Sequence, residues 1–199
     1  MDAAAWDERY AATALVWSAG PNQFVEADLE DLTPGRALDL ACGEGRNARW
    51  LAERGWEVTA IDWSSVAIEK GRRLTDAVDW QVGDALTTPL PTGLDLVVLA
   101  YFQVPADARR TAVLRSFDAL DPGGRLFVVA HDSTNIAEGT GGPQDPTVLY
   151  TAEDVLGDLA GADLEVVRAE RVARLVVGTD EHGSEGTAWD ALVHVRRTS

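Results

Sequence analysis

The chain has 199 residues, of which 46% are hydrophobic and 25% are charged, ordinary values for a single globular domain. The formal net charge is −16, from 33 acidic residues against 17 lysines and arginines. Such a surface repels nucleic-acid phosphates and anionic lipids, so we expect neither as a partner. One cysteine excludes an internal disulfide and a cysteine-based zinc cluster.

The N-terminal residues do not resemble a targeting segment, because no basic start is followed by an apolar run. The longest apolar stretches, such as 94–102, are too short to span a bilayer, and Asp95 interrupts this one. We therefore expect a cytoplasmic protein, monomeric or homodimeric, that acts on a small-molecule substrate.

In chain order, two helical stretches over residues 2–15 and 22–32 come first, and short β-branched strands then alternate with helices. The predicted strands cover Arg36–Leu40, Trp56–Ile61, Val78–Val82, Leu94–Ala100 and Arg125–His131, and the helices between them cover Arg46–Arg54, Ser64–Thr75 and Ala106–Leu120. This alternation is typical of a parallel sheet covered by helices on both faces.

The C-terminal part breaks this alternation. Thr151 and Asp154 predict a capping box that opens a helix to about Ala160. Two β-like runs, 164–177 and 187–196, then follow with no helix between them, so they should pair antiparallel. The sequence thus predicts a three-layer α/β domain whose mostly parallel seven-stranded sheet ends in an antiparallel hairpin.

A loop containing two glycines, Asp39-Leu40-Ala41-Cys42-Gly43-Glu44-Gly45, joins the first predicted strand to the next helix. Gly43 and Gly45 remove side chains where the backbone must turn sharply and a ligand must approach closely. The helix that begins near Arg46 points free N–H groups at the loop, where a carboxylate or phosphate can bind. The glycines alone fit a simple tight turn equally well.

Acidic residues follow the next two predicted strands. Asp62 stands nineteen residues after Gly43, the spacing of an acid that binds a ribose diol in nucleoside-binding α/β folds. A helix cap before Ser64 is the alternative role of Asp62, and Trp63 can lie against an adenine face. After the third strand, Gly83-Asp84-Ala85 offers a carboxylate to an adenine amino group and an N–H to a ring nitrogen.

Together with the turn Asp121-Pro122-Gly123-Gly124, these motifs resemble those of class I S-adenosylmethionine-dependent methyltransferases. The resemblance runs from about Asp2 to Arg197, and the added Arg46-Asn47 and the short chain are most similar to the tellurite-resistance and thiopurine-type branch. It implies a Rossmann-like core over 35–199, a helical lid over 1–34, and S-adenosylmethionine as cofactor, with S-adenosylhomocysteine as product. The cofactor-binding residues it implies are Asp39, Ala41, Cys42, Gly43, Gly45, Asp62, Trp63, Gly83, Asp84, Ala85 and Ala100.

The resemblance also implies roles within the site. Asp39 and the loop backbone would surround the methionine part, while Ala100 and Tyr101 would lie near the transferred methyl. In tellurite-resistance relatives, basic residues near the last hairpin are thought to help the reaction. Here the segment 176–182 carries little positive charge, which argues against a tellurite substrate.

The residues that bind the methyl acceptor are predicted mainly at the ends of the fourth and fifth strands. His131 has the location and titration range of a general base, with a structural histidine as the alternative. We predict His131 and Tyr101 as catalytic residues and Tyr10, Trp17, Tyr101 and Gln144 as the substrate pocket, although aromatic residues also pack in cores.

The three histidines share no ligand spacing, so no metal is expected. The predicted reaction is methyl transfer to sulfur, oxygen or nitrogen of a small, partly apolar molecule.

Two other functions stay open at this point. An NAD(P)-dependent oxidoreductase needs a third glycine, and Ala48 stands in that place as a tolerated variant. Asp84, the Pro122-Gly123-Gly124 turn and the final hairpin favour the methyltransferase. A non-catalytic S-adenosylmethionine-binding protein is the other alternative, because methyl transfer needs little from side chains.

Overall fold

A computed structural model describes residues 3–13, 16, 20–177 and 185–199. The predictions for Trp17 and for most of the hairpin connector lie outside the described residues. The helices are α1 (Ala3–Ala11), α2 (Gln23–Leu29), α3 (Arg46–Glu53), α4 (Ser65–Leu74), α5 (Ala106–Asp118), α6 (Asn135–Glu138) and α7 (Ala152–Asp158). The strands are β1 (Arg36–Leu40), β2 (Glu57–Asp62), β3 (Val78–Val82), β4 (Leu94–Ala100), β5 (Leu120–His131), β6 (Leu164–Val177) and β7 (Glu185–Arg197).

These strands form one seven-stranded sheet in the order β3-β2-β1-β4-β5-β7-β6. The first five are parallel, and β7 pairs antiparallel with both β5 and β6. The predicted parallel sheet with a closing antiparallel hairpin is confirmed. The order of the strands reverses between β1 and β4, and open α/β sheets bind ligands at the carboxyl ends of strands beside such a reversal.

The sheet is buried between two layers of helices. On one face Leu38 and Leu40 of β1 pack in a cluster with residues of α5 and α7, and on the other face Ala37 packs in a cluster with residues of α2, α3 and α4. Because successive side chains of a strand point to opposite faces, Asp39 shares the face of Ala37 and lies beside α3. The alternation of β1 therefore sets a carboxylate against the start of the helix that follows it.

The main differences from the predicted elements lie at their ends. β5 begins at Leu120 instead of Arg125, because Leu120 already pairs with Leu94 before an irregularity in the ladder. Gly124 permits this close approach, since a Cβ there would lie 2.6 Å from the carbonyl oxygen of Leu94. The capping box of Thr151 and Asp154 is present as predicted. No helix in the described part of the chain is both long and apolar enough to cross a membrane.

Candidate cofactor and acceptor site

The loop between β1 and α3 turns through left-handed backbone conformations. The φ angles are 57° at Ala41, 57° at Gly43 and 71° at Gly45. A Cβ on Gly45 would lie 2.2 Å from the ring of Trp80, so this position requires glycine for space as well as conformation. Burial raises the pKa of the Cys42 thiol, and the residue therefore stays protonated in the loop.

Asp39 carries a buried carboxyl group that is only half satisfied. Its Oδ2 accepts a hydrogen bond from the Ala48 N–H at 2.9 Å, whereas its Oδ1 is buried without a partner among the described residues. Burial raises the pKa of Asp39 to about 7, against the opposing effects of the Ala48 hydrogen bond and the Arg46 charge. A buried acceptor without a donor is rare in native proteins, so a ligand donor is expected here.

Asp62, at the end of β2, connects the loop to the next helix. Its Oδ2 accepts from the Gly43 N–H and its Oδ1 from the Ser64 N–H, both at 2.8 Å. Ser64 itself caps α4 by accepting from Ala67 N–H. The two backbone bonds leave Asp62 with free lone pairs, since each carboxylate oxygen can accept more than one hydrogen bond. Burial raises the pKa of Asp62, and the Asp7 charge raises it further.

The residues predicted to contact adenine lie at the ends of β2 and β3. Asp84 is occupied locally, because its Oδ1 accepts from the Leu86 N–H at 2.8 Å. Ala85 is buried in the core, and Trp63 is 37% exposed. A Cβ on Gly83 would lie 2.6 Å from Thr88 Oγ1, so the chain packs closely at this strand end.

A cleft of ≈ 500 Å³, including the part open to solvent, lies at the carboxyl ends of β1 and β4. Its walls combine the loop, the end of β4 and the inner side of α1. The lining residues are Trp6, Tyr10, Asp39, Ala41, Cys42, Gly43, Arg46, Asn47, Ala100 and Tyr101. Asp62, Trp63, Gly83, Asp84 and Ala85 are not among them.

Polar contacts hold the N-terminal segment over this cleft. Asp7 accepts hydrogen bonds from Ser64 Oγ at 2.5 Å and Val66 N–H at 3.3 Å, at the first turn of α4. Lys70 of α4 donates to the carbonyl oxygen of Tyr10 at 2.5 Å and pairs with Glu44 of the loop at 3.0 Å. As a result α1 presents the stacked rings of Trp6 and Tyr10, 5.6 Å apart, to the cleft.

Tyr101 closes the cleft at the end of β4 and has a φ of 57°. Ala41 and Tyr101 are the only non-glycine residues with positive φ in the described ranges, and both line the cleft. Residues held in this region concentrate at functional sites. The Tyr101 hydroxyl donates to Asp190 Oδ2 at 2.9 Å and accepts from Asn22 Nδ2 at 3.2 Å. Burial and then the Asp190 charge raise the pKa of Tyr101, which keeps the phenol neutral.

Asp190, on β7, lies at the centre of a polar cluster and is fully buried. Arg174 Nε donates to its Oδ2 at 2.7 Å. His131 Nδ1 lies 3.2 Å from its Oδ1, but the ring nitrogen is poorly aligned and forms no hydrogen bond. Burial disfavours the charge on Asp190, yet the contacts with His131, Arg174 and Tyr101 outweigh it and hold its pKa below the usual value.

The sequence interpretation missed both Asp190 and Arg174. The available signal was an acidic residue directly before an apolar run in a predicted strand, Asp190 before Ala191-Leu192-Val193. Arg174 lies two positions before the segment 176–182, which carries little positive charge. A guanidinium from this hairpin does approach the site, with its carbon 5.6 Å from the Tyr101 ring centroid.

His131 lies beside Tyr101, with ring centroids 5.0 Å apart. The loop 139–146 reaches it, because a Cβ on Gly142 would stand 3.0 Å from the imidazole ring. Neither His131 nor Gln144 lines the cleft. Gln144 is exposed, and its amide nitrogen is 3.4 Å from the carbonyl oxygen of Gly142 in its own loop. The structure therefore brings His131 next to the cleft and leaves Gln144 on the surface.

Comparison with known proteins agrees with this geometry. Residues 37–124 match a sequence family described as a methyltransferase domain. The chain is 36% identical over 134 residues to a demethylmenaquinone methyltransferase of Beutenbergia cavernae, over 63% of this chain and 54% of that protein. It is 33% identical over 129 residues to an uncharacterized methyltransferase of Mycobacterium tuberculosis, over 62% of this chain and 64% of that protein. The matches span about half the length of these curated relatives.

Solved structures share the fold. The N-methyltransferase NodS from Bradyrhizobium japonicum, in complex with S-adenosylhomocysteine, superimposes over 100% of both chains with a TM-score of 0.74 and 22% identity. TehB from Haemophilus influenzae has a TM-score of 0.74 and 18% identity, over 97% of this chain and 66% of its own. Residues 37–124 are therefore similar to a methyltransferase domain, and the chain as a whole has the fold of NodS and TehB.

Proposed function

We propose that this protein transfers the methyl group of S-adenosylmethionine to a sulfur, oxygen or nitrogen atom of a small, partly apolar molecule. The observation that carries the proposal is the cleft, in which the loop after β1 faces the aromatic rings of Trp6, Tyr10 and Tyr101. A cofactor bound along the loop would present its methyl group toward these rings. Three aromatic side chains in one cleft favour a small, partly apolar acceptor over a macromolecule.

The residues of the cleft fit the methionine part of this cofactor. The unpartnered Oδ1 of Asp39 is a buried acceptor, and the cofactor carries an ammonium group that can donate to it. Glycines at positions 43 and 45 leave the loop backbone accessible to a ligand. For the nucleoside part we propose Asp62 at the ribose, Trp63 beside the adenine ring, and Asp84 with Ala85 at its edge.

The bound cofactor supplies an already activated methyl group, so the protein mainly has to bind and orient the two reactants. The contacts of α1 with α4 and the loop would keep water out of the cleft during transfer. Tyr101 would form the acceptor wall as a neutral phenol, because its proton is directed to Asp190. For an acceptor that must lose a proton, we propose His131 as the general base, with Asp190 3.2 Å from its Nδ1.

We further propose one domain, in which residues 1–34 form a lid on a core of residues 35–199. The hydrogen bonds of Asp7 and Lys70 support this arrangement, since they connect the N-terminal segment to α4.

Calorimetry with S-adenosylmethionine, S-adenosylhomocysteine and NAD tests the cofactor. We expect the first two to bind and NAD not to bind; failure of both adenosyl compounds would overturn the proposal. A screen for S-adenosylhomocysteine release over small thiols, phenols and amines then tests the reaction. Release above background with one acceptor class identifies the acceptor atom, whereas binding without release from any of them would favour a non-catalytic binding protein.

A further inference from the structure

We propose that Asp190 is a positioning residue that fixes the proton of the neutral His131 ring on Nδ1 and so leaves Nε2 as the nitrogen that accepts a proton. The inference rests on the proposed function, which gives His131 the role of general base, and it deepens that function by naming the reactive nitrogen and the residue that selects it. The location of His131 alone does not decide this, because either nitrogen of a neutral imidazole can carry the proton.

The backbone brings the two residues together. His131 on β5 and Asp190 on β7 stand directly opposite each other in the antiparallel ladder, and residues paired in this way carry their side chains on the same face of the sheet. Asp190 Oδ1 lies 3.2 Å from His131 Nδ1. Asp190 is fully buried and the Nδ1 atom is buried as well, so solvent ions screen their interaction only weakly.

The charge on Asp190 decides where the imidazole proton lies. Arg174 Nε and the Tyr101 hydroxyl both donate to Oδ2, at 2.7 Å and 2.9 Å, and an ionised carboxylate can only accept. A lone pair on Nδ1 would face the electron-rich Oδ1 and be repelled, whereas an N–H at the same place is attracted. This attraction does not require the alignment of a regular hydrogen bond. The Nδ1–H form of His131 is therefore favoured.

Other contacts keep the ring in this orientation. The His131 N–H donates to Gln103 Oε1 at 2.6 Å. Gly142 lies against the imidazole, since a Cβ there would stand 3.0 Å from three ring atoms, and the centroid of the Tyr101 ring is 5.0 Å away. Within the described part of the chain, Nε2 of His131 makes no hydrogen bond. This nitrogen is therefore available to the proton of a ligand.

Nuclear magnetic resonance of protein containing isotopically labelled histidine tests the assignment without any acceptor. Long-range proton–nitrogen correlations distinguish the two neutral forms of each ring, and His131→Gln identifies the signals of His131. At pH 8, where an ordinary imidazole is neutral, we expect His131 in the Nδ1–H form, which is the minor form of a solvated histidine. The Nε2–H form, or a doubly protonated ring at this pH, would overturn the inference.

Asp190→Asn should move the proton from Nδ1 to Nε2. Arg174 and Tyr101 need an acceptor at the position of Oδ2, so the amide oxygen should stay there and the amide nitrogen should face His131 Nδ1. An amide N–H requires a lone pair opposite it, and His131 should therefore change to the Nε2–H form. A purely structural role of Asp190 would not move this proton. A folded variant that keeps the Nδ1–H form would overturn the inference.

Asp132→Asn is the matched control. It removes the same charge from the residue next to His131, where the carboxylate accepts hydrogen bonds from Thr134. It should leave His131 in the Nδ1–H form, and a change to Nε2–H here would show that the contact with Asp190 does not select the tautomer.

The wild-type spectrum tests the inference even if Asp190→Asn does not fold. It also separates the inference from the proposed function. A wild-type protein that binds S-adenosylmethionine but has the Nε2–H form would overturn the role of Asp190 alone. A wild-type protein with the Nδ1–H form that binds no adenosyl compound would overturn methyl transfer and leave the tautomer assignment intact.

Discussion

The surroundings shift the pKa values of two buried carboxyl groups of the site, those of Asp190 and Asp39, in opposite directions. At Asp190 burial disfavours the charge, but His131, Arg174 and Tyr101 compensate and keep the residue ionised. At Asp39 burial dominates, because one oxygen has no donor and the Arg46 charge only partly compensates. Asp190 is therefore a stable anion that positions its neighbours. The charge on Asp39 instead destabilises the folded protein until a ligand binds.

Asp39→Asn should consequently stabilise the cofactor-free protein and weaken cofactor binding. The folded-state pKa of Asp39 is raised to about 7, above the unfolded value of about 3.9. The wild-type protein therefore loses stability as pH rises from about 4 through 7, and the variant does not. We expect the variant to be about 1–3 kcal/mol more stable at pH 8 in urea unfolding, with the difference vanishing toward pH 4.

The same variant should bind S-adenosylhomocysteine at least severalfold more weakly, since an amide attracts an ammonium group less than a carboxylate does. Asp79→Asn, on the exposed side of β3, removes the same charge and should change neither quantity. Unchanged stability at pH 8 would contradict the assignment of Asp39 as an uncompensated buried charge.

At the scale of elements, the two helices that precede β1 are attached to the core in different ways. α1 is held by polar contacts of Asp7 at the start of α4 and of Lys70. α2 packs apolar side chains into the core, and its Asp28 Oδ1 also lies 2.5 Å from Arg168 on β6. Polar contacts can open at a lower free-energy cost than a packed apolar core, so α1 is suited to move as a ligand enters.

Asp7→Asn should loosen α1 without unfolding the domain. The carboxylate accepts charge-assisted hydrogen bonds from Ser64 and Val66, and an amide accepts weaker ones. We expect faster amide hydrogen exchange in residues 3–11 and faster dissociation of S-adenosylhomocysteine in stopped-flow measurements. Glu8→Gln on the exposed side of the same helix should change neither rate. Slower dissociation in Asp7→Asn would contradict a covering role for α1.

His194 should make the attachment of α2 sensitive to pH. It is buried beside Phe127, with Nε2 3.2 Å from an Arg125 nitrogen and Nδ1 3.7 Å from Asp28 Oδ2. Burial and then the Arg125 charge lower the pKa of His194, against the Asp28 charge. The folded protein thus binds fewer protons than the unfolded one below the unfolded pKa of about 6.5. Stability should be full above that pH and decline as pH falls below it.

Comparison of wild type with His194→Gln by urea unfolding between pH 8 and pH 5 measures this effect. The variant lacks the titrating ring. Its free energy of unfolding should therefore rise relative to that of the wild type as pH falls below about 6.5, by at most about 1.4 kcal/mol per pH unit. A difference in unfolding free energy that stays constant across this pH range would contradict the prediction, because it would mean that folding does not change the pKa of His194.

For the whole molecule, the sheet topology gathers one site from distant parts of the chain. The order β1-β4-β5-β7 aligns the strand ends near Asp39, Tyr101 and His131, and it pairs His131 with Asp190 in the interior of β7. The cationic residues Arg46 and Arg174 flank Tyr101 at this edge, although the chain as a whole has a net charge of −16. Among the residues that line the cleft, the acid Asp39 is matched by the base Arg46. The acidic excess therefore lies outside this lining, and we expect it to lower stability through long-range repulsion.

Added salt should accordingly stabilise the protein. Raising sodium chloride from about 0.01 M to 1 M shortens the screening length from about 30 Å to 3 Å and weakens repulsion among the excess carboxylates. We expect the melting temperature to rise, with potassium chloride giving the same rise because screening depends on ionic strength. A melting temperature that falls with both salts would mean that attractive ion pairs such as Arg109–Asp158 outweigh the repulsion.

The sequence by itself determined the features that depend on local physics. Alternating apolar runs predicted every strand of the sheet, and the helix signals at Thr151 and Arg46 were found in place. The glycines at positions 43 and 45 also predicted the tight turn of the loop, in which both have positive φ. These features follow from backbone conformation and side-chain periodicity within a few residues or one βαβ unit.

Only the tertiary structure decided which distant side chains meet. Tyr101 and Asp190 are 89 positions apart, and their contact arises because β7 inserts between β5 and β6. The strand order, the attachment of α1 to α4 and the unpartnered oxygen of Asp39 likewise depend on packing between elements. Local sequence patterns do not predict such packing. Strand order and helix placement depend on how all the apolar faces of the chain are buried together.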